Sequence, residues 1–280
     1  MKTVFERMAE SIDREAQANA WMATEKLGED GLLHCTVCGG PRQCVITLFG
    51  EQKVVRCDCG CRRREDEAAK EVLRKQAIER HRRDCFRGSE ATRCRFENDN
   101  GHNPELSTTA RKYVENFAEY RRKGKGLVLY GPVGTGKSYT AACIANALID
   151  EGYRAVMTNL PEVGREALGT FEKERYFYSL VDCDLLVLDD LGVERRGEYM
   201  DETVFGVIDA WYRSGVPLIV TTNLSADELS KTADISQKRV YDRILEQCLP
   251  VHVDGISQRR GNARQAWRAM RTDLGLEARK

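Results

Sequence analysis

Residues 127–149 read LVLY-GPVGTGKS-YTAACIANALI, an apolar run, a glycine-rich loop over Gly131–Ser138 and an alanine-rich stretch of helical character. The loop fits G-x-x-x-x-G-K-[ST] in the context that gives the motif meaning, with a strand in front and a helix behind. Glycines let the chain turn so that successive backbone N–H groups face one point, and the helix start adds the positive end of its dipole. The motif assigns Gly131, Pro132, Val133, Gly134, Thr135, Gly136, Lys137, Ser138 and Tyr139 to a nucleotide. Lys137 is expected on the β- and γ-phosphates and the Ser138 hydroxyl on Mg²⁺.

Outward from this loop, short β-rich runs recur at Ala155–Met157, Leu185–Leu188, Leu218–Thr221 and Pro250–Val253, separated by helical segments. Runs that are apolar throughout indicate a parallel sheet covered on both faces, hence a doubly wound α/β domain. The second run ends in Asp189-Asp190, which places an acid beside a metal at the C-terminal edge of such a sheet. Asp189 is assigned to Mg²⁺ and Asp190 to orienting the attacking water; the plain alternative for Asp190 is a turn cap beside Leu191-Gly192. The third run delivers Asn223 to the same edge, with Thr221 or Thr222 in support, although an asparagine there is by itself only a turn former.

Upstream lies a cysteine-dense module. Cys35-Thr-Val-Cys38-Gly directs two thiolates at one point, and Cys57-Asp-Cys59-Gly-Cys61 follows a β-rich stretch, 44–55, able to form a hairpin. Four sulfurs suit a closed, structural tetrahedral Zn²⁺. Cys57, Cys59 and Cys61 offer one thiolate more than is needed, and His34 and Cys44 are spares. Cys85, Cys94, Cys143, Cys183 and Cys248 read as small buried residues without a role.

Between module and loop, residues 62–83 read as a solvated helix and Gly88–Pro104 as a linker rich in turn formers. Arg62–Arg64, Arg80, Arg82, Arg83, Arg87, Arg93 and Arg95 make this part basic, which suits DNA phosphate or an acidic protein surface as well as a plain solvated face. Tyr113, Phe117 and Tyr120 share a helical face and read as core. Residues 1–30 have helical spacing at Val4, Met8, Ile12 and Trp21.

The 280-residue length calls for one α/β domain plus something smaller. Lys+Arg and Asp+Glu balance at 44 each, so whole-chain charge gives no argument for nucleic acid. No membrane span and no signal-peptide core are legible, so a cytoplasmic protein is expected. The eleven cysteines then read as thiols and metal ligands.

In order, GPVGTGKS, LLVLDDLGVE, IVTTNL and KRVYDRI resemble the ATPase domain of bacterial and phage replicative-helicase loaders of the DnaC/DnaI type, over roughly Phe96 to Arg268. The resemblance implies an AAA+ P-loop NTPase domain with a central parallel sheet, preceded by a small helical, zinc-binding domain. It implies ATP or ADP with Mg²⁺, a hexameric replicative helicase and single-stranded DNA as partners, and self-association through the ATPase domain. It divides the chain into 1–100, a helicase-interaction region, 101–270, the ATPase domain, and a tail, 271–280, with no separate helical lid. It also implies an arginine finger for the neighbouring subunit, from Arg243 or, second, Arg239, which lie four apart on one helical face. Asp190 stands where many AAA+ proteins carry Glu, which suits slow hydrolysis. IstB-type transposition helper ATPases share this domain; the cysteine module favours the loader.

Overall fold

The computed structural model describes residues 25–193, 197–232, 234–255, 257–274 and 276. Of the helical stretch read over residues 1–30, positions 1–24 lie outside them, and Glu25–Leu27 forms a strand instead. The chain forms two compact units that divide between Gln76 and Ala77.

The first unit holds two antiparallel ribbons, β1 (Glu25–Leu27) with β2 (Leu33–Cys35), and β3 (Gln43–Leu48) with β4 (Glu51–Arg56). The second ribbon turns at Phe49-Gly50, both left-handed with φ 53° and 83°, the turn whose twist matches a two-residue hairpin. The helix α1 (Gly60–Phe86) starts beside the cysteines, and its last ten residues belong to the second unit.

In the second unit follow α2 (Pro104–Glu115), α3 (Phe117–Lys123), β5 (Gly126–Tyr130), α4 (Lys137–Asp150), β6 (Ala155–Asn159), α5 (Leu160–Leu168) and α6 (Lys173–Leu180). The chain continues through β7 (Leu185–Leu191), α7 (Glu198–Ser214), β8 (Leu218–Thr222), α8 (Ala226–Ser230), α9 (Ile235–Gln247), β9 (Cys248–His252) and α10 (Gln258–Asp273). The five strands form one parallel sheet in the order β6-β7-β8-β5-β9. Alternate residues of each strand bury against opposite layers: Leu185, Val187 and Ile219 pack with the end of α1, α2 and α4, while Leu186, Leu188 and Val220 pack with α5, α6, α7 and α9. Tyr113 and Phe117 are core residues, and Tyr120 packs against them.

Helix starts follow local chemistry. Asn103 caps α2 by accepting from Leu106 N–H, with Pro104 first in the helix, a position where the missing N–H costs nothing. Ser225 and Glu228 cap α8 reciprocally. Among the described residues no helix is long and apolar enough to cross a membrane.

Two sequence expectations are corrected here. The boundary lies at residue 76 and not 100, and residues 88–104 are not a linker, because this stretch is bound along α4: the Asn146 amide donates to the carbonyls of Ala91 and Cys94, both at 2.9 Å. The charges of Arg82 and Arg87 also face carboxylates of the same unit, Arg82 on Glu79 and Asp150 and Arg87 on Glu162 and Glu166, and do not form an open basic surface.

Candidate nucleotide site and cysteine cluster

The loop between β5 and α4 turns through left-handed Gly134 and Gly136, φ 84° and 99°. A Cβ on Gly134 would sit 2.3 Å from Ser257 Oγ, so the segment leading into α10 leaves room for glycine alone. Gly136 is the N-cap of α4 and offers no side chain to its first-turn amides, which have no partners within the helix itself. Lys137 is only 5 % exposed, and its Nζ donates to the carbonyls of Gly131 and Pro132 at 2.8 and 2.6 Å. Thr135 closes the loop with a bond to the Pro132 carbonyl. A cationic tip seated on loop carbonyls beside a helix start with no side-chain cap is a donor set suited to a polyphosphate.

A cavity of about 370 Å³ opens over the loop, lined by Val133–Thr140, Asp190 and Asn223. Its other wall was not legible in the sequence. Asn98, Asp99, Asn100, His102, Asn103, Leu106 and Ser107 line it, together with Gln258. Asn100 and Asn103 fix this wall by donating to the Gln258 side chain and the Asp254 carbonyl, both at 3.2 Å. A run of Asn, Asp and Gly signals turns in any sequence, so its composition gave no hint of a wall.

The paired acids diverge. Asp190 has φ 58° and turns its side chain into the cavity, at a break in the pairing of β7 with β8. Asp189 follows Leu185 and Val187 on the sheet face that carries α4. It does not line the loop cavity but a neighbouring one of about 340 Å³, with Thr158, Asn159 and Arg87. Thr221 links the acids: its hydroxyl donates to Asp189 Oδ1 at 2.6 Å and accepts from the Asp190 N–H at 2.9 Å. Thr222 instead donates to the Leu191 carbonyl.

The two arginines of α9 differ. Arg243 donates to Asp209 Oδ1 at 2.8 Å and lies against the rings of Phe205 and Tyr212. It is bound within its own unit, by a partner 34 residues away that spacing cannot disclose. Arg239 is exposed and has no ion-pair partner among the described residues.

In the first unit, the sulfurs of Cys35, Cys38, Cys59 and Cys61 all lie within 4.8 Å of one another. Tetrahedral Zn–S bonds of about 2.3 Å place sulfurs roughly 3.8 Å apart, so this quartet fits a zinc ion. The N–H groups of Gly40 and Cys61 point at the Cys38 sulfur and lower its thiol to about 6, and those of Cys38 and Val37 lower Cys35; amides aimed at sulfur favour the thiolate a metal needs. Cys57 stands apart, against the Pro41 carbonyl, with its thiol raised by burial and by Cys44. His34 is engaged by Asp30 and the Gly39 carbonyl.

A phosphate loop opening α4, acids at the end of β7 and a polar residue after β8, all on one edge of a β6-β7-β8-β5-β9 sheet, define a P-loop ATP-binding domain of the AAA+ class. Residues 68–266 match the family of IstB-like ATP binding proteins, and the chain belongs to that family. It is 31% identical over 150 residues to the replicative helicase loader DnaI of Bacillus subtilis (strain 168), covering 49% of this chain and 48% of that protein. It is 29% identical over 140 residues to the replicative helicase loader DnaC of Escherichia coli (strain K12), covering 48% and 55%. The matched stretch thus spans about half the length of these relatives. A crystal structure of DnaI aligns with TM-score 0.50 at 26% identity, over 60% of this chain and 92% of that one. A DnaC helicase loader structure aligns with TM-score 0.51 at 22% identity, over 60% and 100%, which speaks for the fold.

Proposed function

We propose that this chain is an ATPase that loads a hexameric replicative helicase onto single-stranded DNA, with ATP binding and slow hydrolysis as the switch. The observation that carries the reading is the pairing of a buried Lys137 inside the loop with sequence similarity to two helicase loaders. The loop amides and Lys137 hold the β- and γ-phosphates. Ser138 and Asp189 hold Mg²⁺, which when bound neutralises developing phosphate charge. Asp190 and Asn223 position the attacking water from the cavity wall. The Asp190 carboxylate is one methylene shorter than a glutamate, which holds water less closely and supports slow turnover. Residues 98–107 and Tyr139 receive the base and ribose side of the nucleotide.

Subunits associate through the ATPase domain, and a neighbour completes the site with an arginine. The hydrogen bond of Arg243 to Asp209 and its packing over the rings of Phe205 and Tyr212 favour the exposed Arg239 for that part. The cysteine quartet holds a structural Zn²⁺ and keeps the first unit folded for helicase contact. The protein acts in the cytoplasm.

The second reading, a transposition helper, is favoured by the IstB-like family match and by 28% identity to a putative insertion sequence ATP-binding protein of Sinorhizobium fredii (strain NBRC 101917 / NGR234). Mixing the purified chain with the host's replicative helicase and circular single-stranded DNA separates the two. ATP-dependent accumulation of helicase on the circle is expected. No helicase binding, together with ATP-dependent binding to duplex DNA, would establish the helper instead.

A further inference from the structure

The phosphate loop and the wall that faces it are tied together at a point well outside the cavity. Asn146 lies on α4, nine residues beyond Lys137, hence about 13 Å along the helix. It is fully buried and does not line the nucleotide cavity. Its Nδ2 donates to the carbonyls of Ala91, Cys94 and Ala142, and its Oδ1 accepts from Arg82 Nε at 3.1 Å. Arg82 is itself 6 % exposed and bridges to Asp150 at the end of α4. The clamped strand of chain runs on through Arg95, whose carbonyl accepts from Tyr139, to Asn98–Ser107, the far wall of the cavity. One buried asparagine therefore sets how this strap sits on the helix that begins with Lys137.

We propose that Asn146 and Arg82 are positioning residues for nucleotide binding, which fix the spacing between the phosphate loop and the 98–107 wall through the strap 87–97. The proposal rests on the nucleotide reading above and deepens it. A buried polar cluster with every partner in place holds one register, whereas apolar packing tolerates slippage. A wall out of register loses contacts that hold the nucleotide equally in the ground and transition states, which raises Kd and KM and spares kcat.

The test is affinity for a fluorescent ATP analogue, with steady-state ATP hydrolysis alongside. Asn146→Asp keeps an acceptor for Arg82 and removes the donors to Ala91 and Cys94. Arg82→Lys keeps the charge for Asp150 and removes the Nε bond. Val207→Ala, a buried α7 residue in the opposite layer, serves as a variant of lowered stability without a link to the strap. Under conditions where all are folded by circular dichroism, both clamp variants should raise Kd and KM about tenfold with kcat within about twofold. Val207→Ala should leave Kd and KM unchanged. A purely structural role lowers the folded fraction and apparent kcat alone, so Kd and KM of the clamp variants equal to wild type would overturn the proposal. Wild-type protein that binds no analogue would overturn the nucleotide reading and this proposal with it.

Discussion

Replacing Thr221 by valine tests the catalytic edge with almost no change in volume. Thr221 is fully buried at the end of β8, where its hydroxyl donates to Asp189 and accepts from the Asp190 N–H. Valine removes both bonds at once. A hydrogen bond to a charged group contributes about 1.5–3 kcal/mol, and loss of the partner of a buried amide costs about 1–3 kcal/mol. The two share one hydroxyl and are not additive, so about 2–3 kcal/mol is expected, or roughly 4–12 °C in the midpoint of a domain of this size. Asp190 needs that bond more than most residues, because its left-handed φ of 58° is unfavourable for a side chain other than glycine. Relaxation there should withdraw its carboxylate from the cavity. Thermal melts should show the loss, ATP binding at saturating Mg²⁺ should survive, and turnover should fall at least tenfold. Thr221→Ser, which retains the hydroxyl, should recover most of both. Wild-type stability and turnover in Thr221→Val would refute the bridging role.

Further outcomes are expected. Arg239→Ala should leave melting unchanged and cut hydrolysis by about 10³ if it is the finger, whereas Arg243→Ala, which strands Asp209, should lower the midpoint with a smaller kinetic effect; the opposite result would restore Arg243. Zinc removal by chelator, or Cys61→Ser, should unfold the first unit alone, read by loss of β signal while nucleotide binding persists, since structural zinc contributes folding free energy locally. Burial pushes the thiols of Cys85, Cys143 and Cys183 up to about 12, so iodoacetamide at pH 8 should spare them while metal-free protein is alkylated at Cys38, as peptide mass mapping would show. Glu166 is held below the usual carboxylate range chiefly by Arg87. Its contribution is present above the unfolded value of about 4.3 and is lost as pH falls below it, so Glu166→Gln should flatten the acid limb of stability.

The sheet was legible because its three inner strands, β5, β7 and β8, are continuous runs buried on both faces; such runs name themselves in sequence, as does a glycine loop with Lys and Ser in register, whereas the edge strands β6 and β9 are only partly buried. The cysteine quartet was half legible. Spacing chose Cys35 and Cys38, but three thiols in five residues cannot be ranked until the hairpin register sets Cys57 opposite Arg42, outside the quartet. What escaped was tertiary. Residues 88–104 have the composition of a linker and act as a strap, because backbone carbonyls of Ala91 and Cys94, carrying no sequence signal, meet Asn146. Arg82 looks like any residue of a charged helix, and only Asn146 and Asp150, more than 60 positions on, reveal it as buried. The bond of Arg243 was hidden for the same reason, since Asp209 lies on another helix.

The proposed seat of the ATP phosphates is Gly131–Ser138, with Lys137 as the cation inside the loop. Equilibrium binding of a fluorescent ATP analogue to wild type and to Lys137→Ala, both verified as folded, tests it most directly. Saturable binding of one nucleotide per chain by the wild type, weakened at least a hundredfold in Lys137→Ala, is the expected result. Equal affinity in the two proteins would contradict the claim.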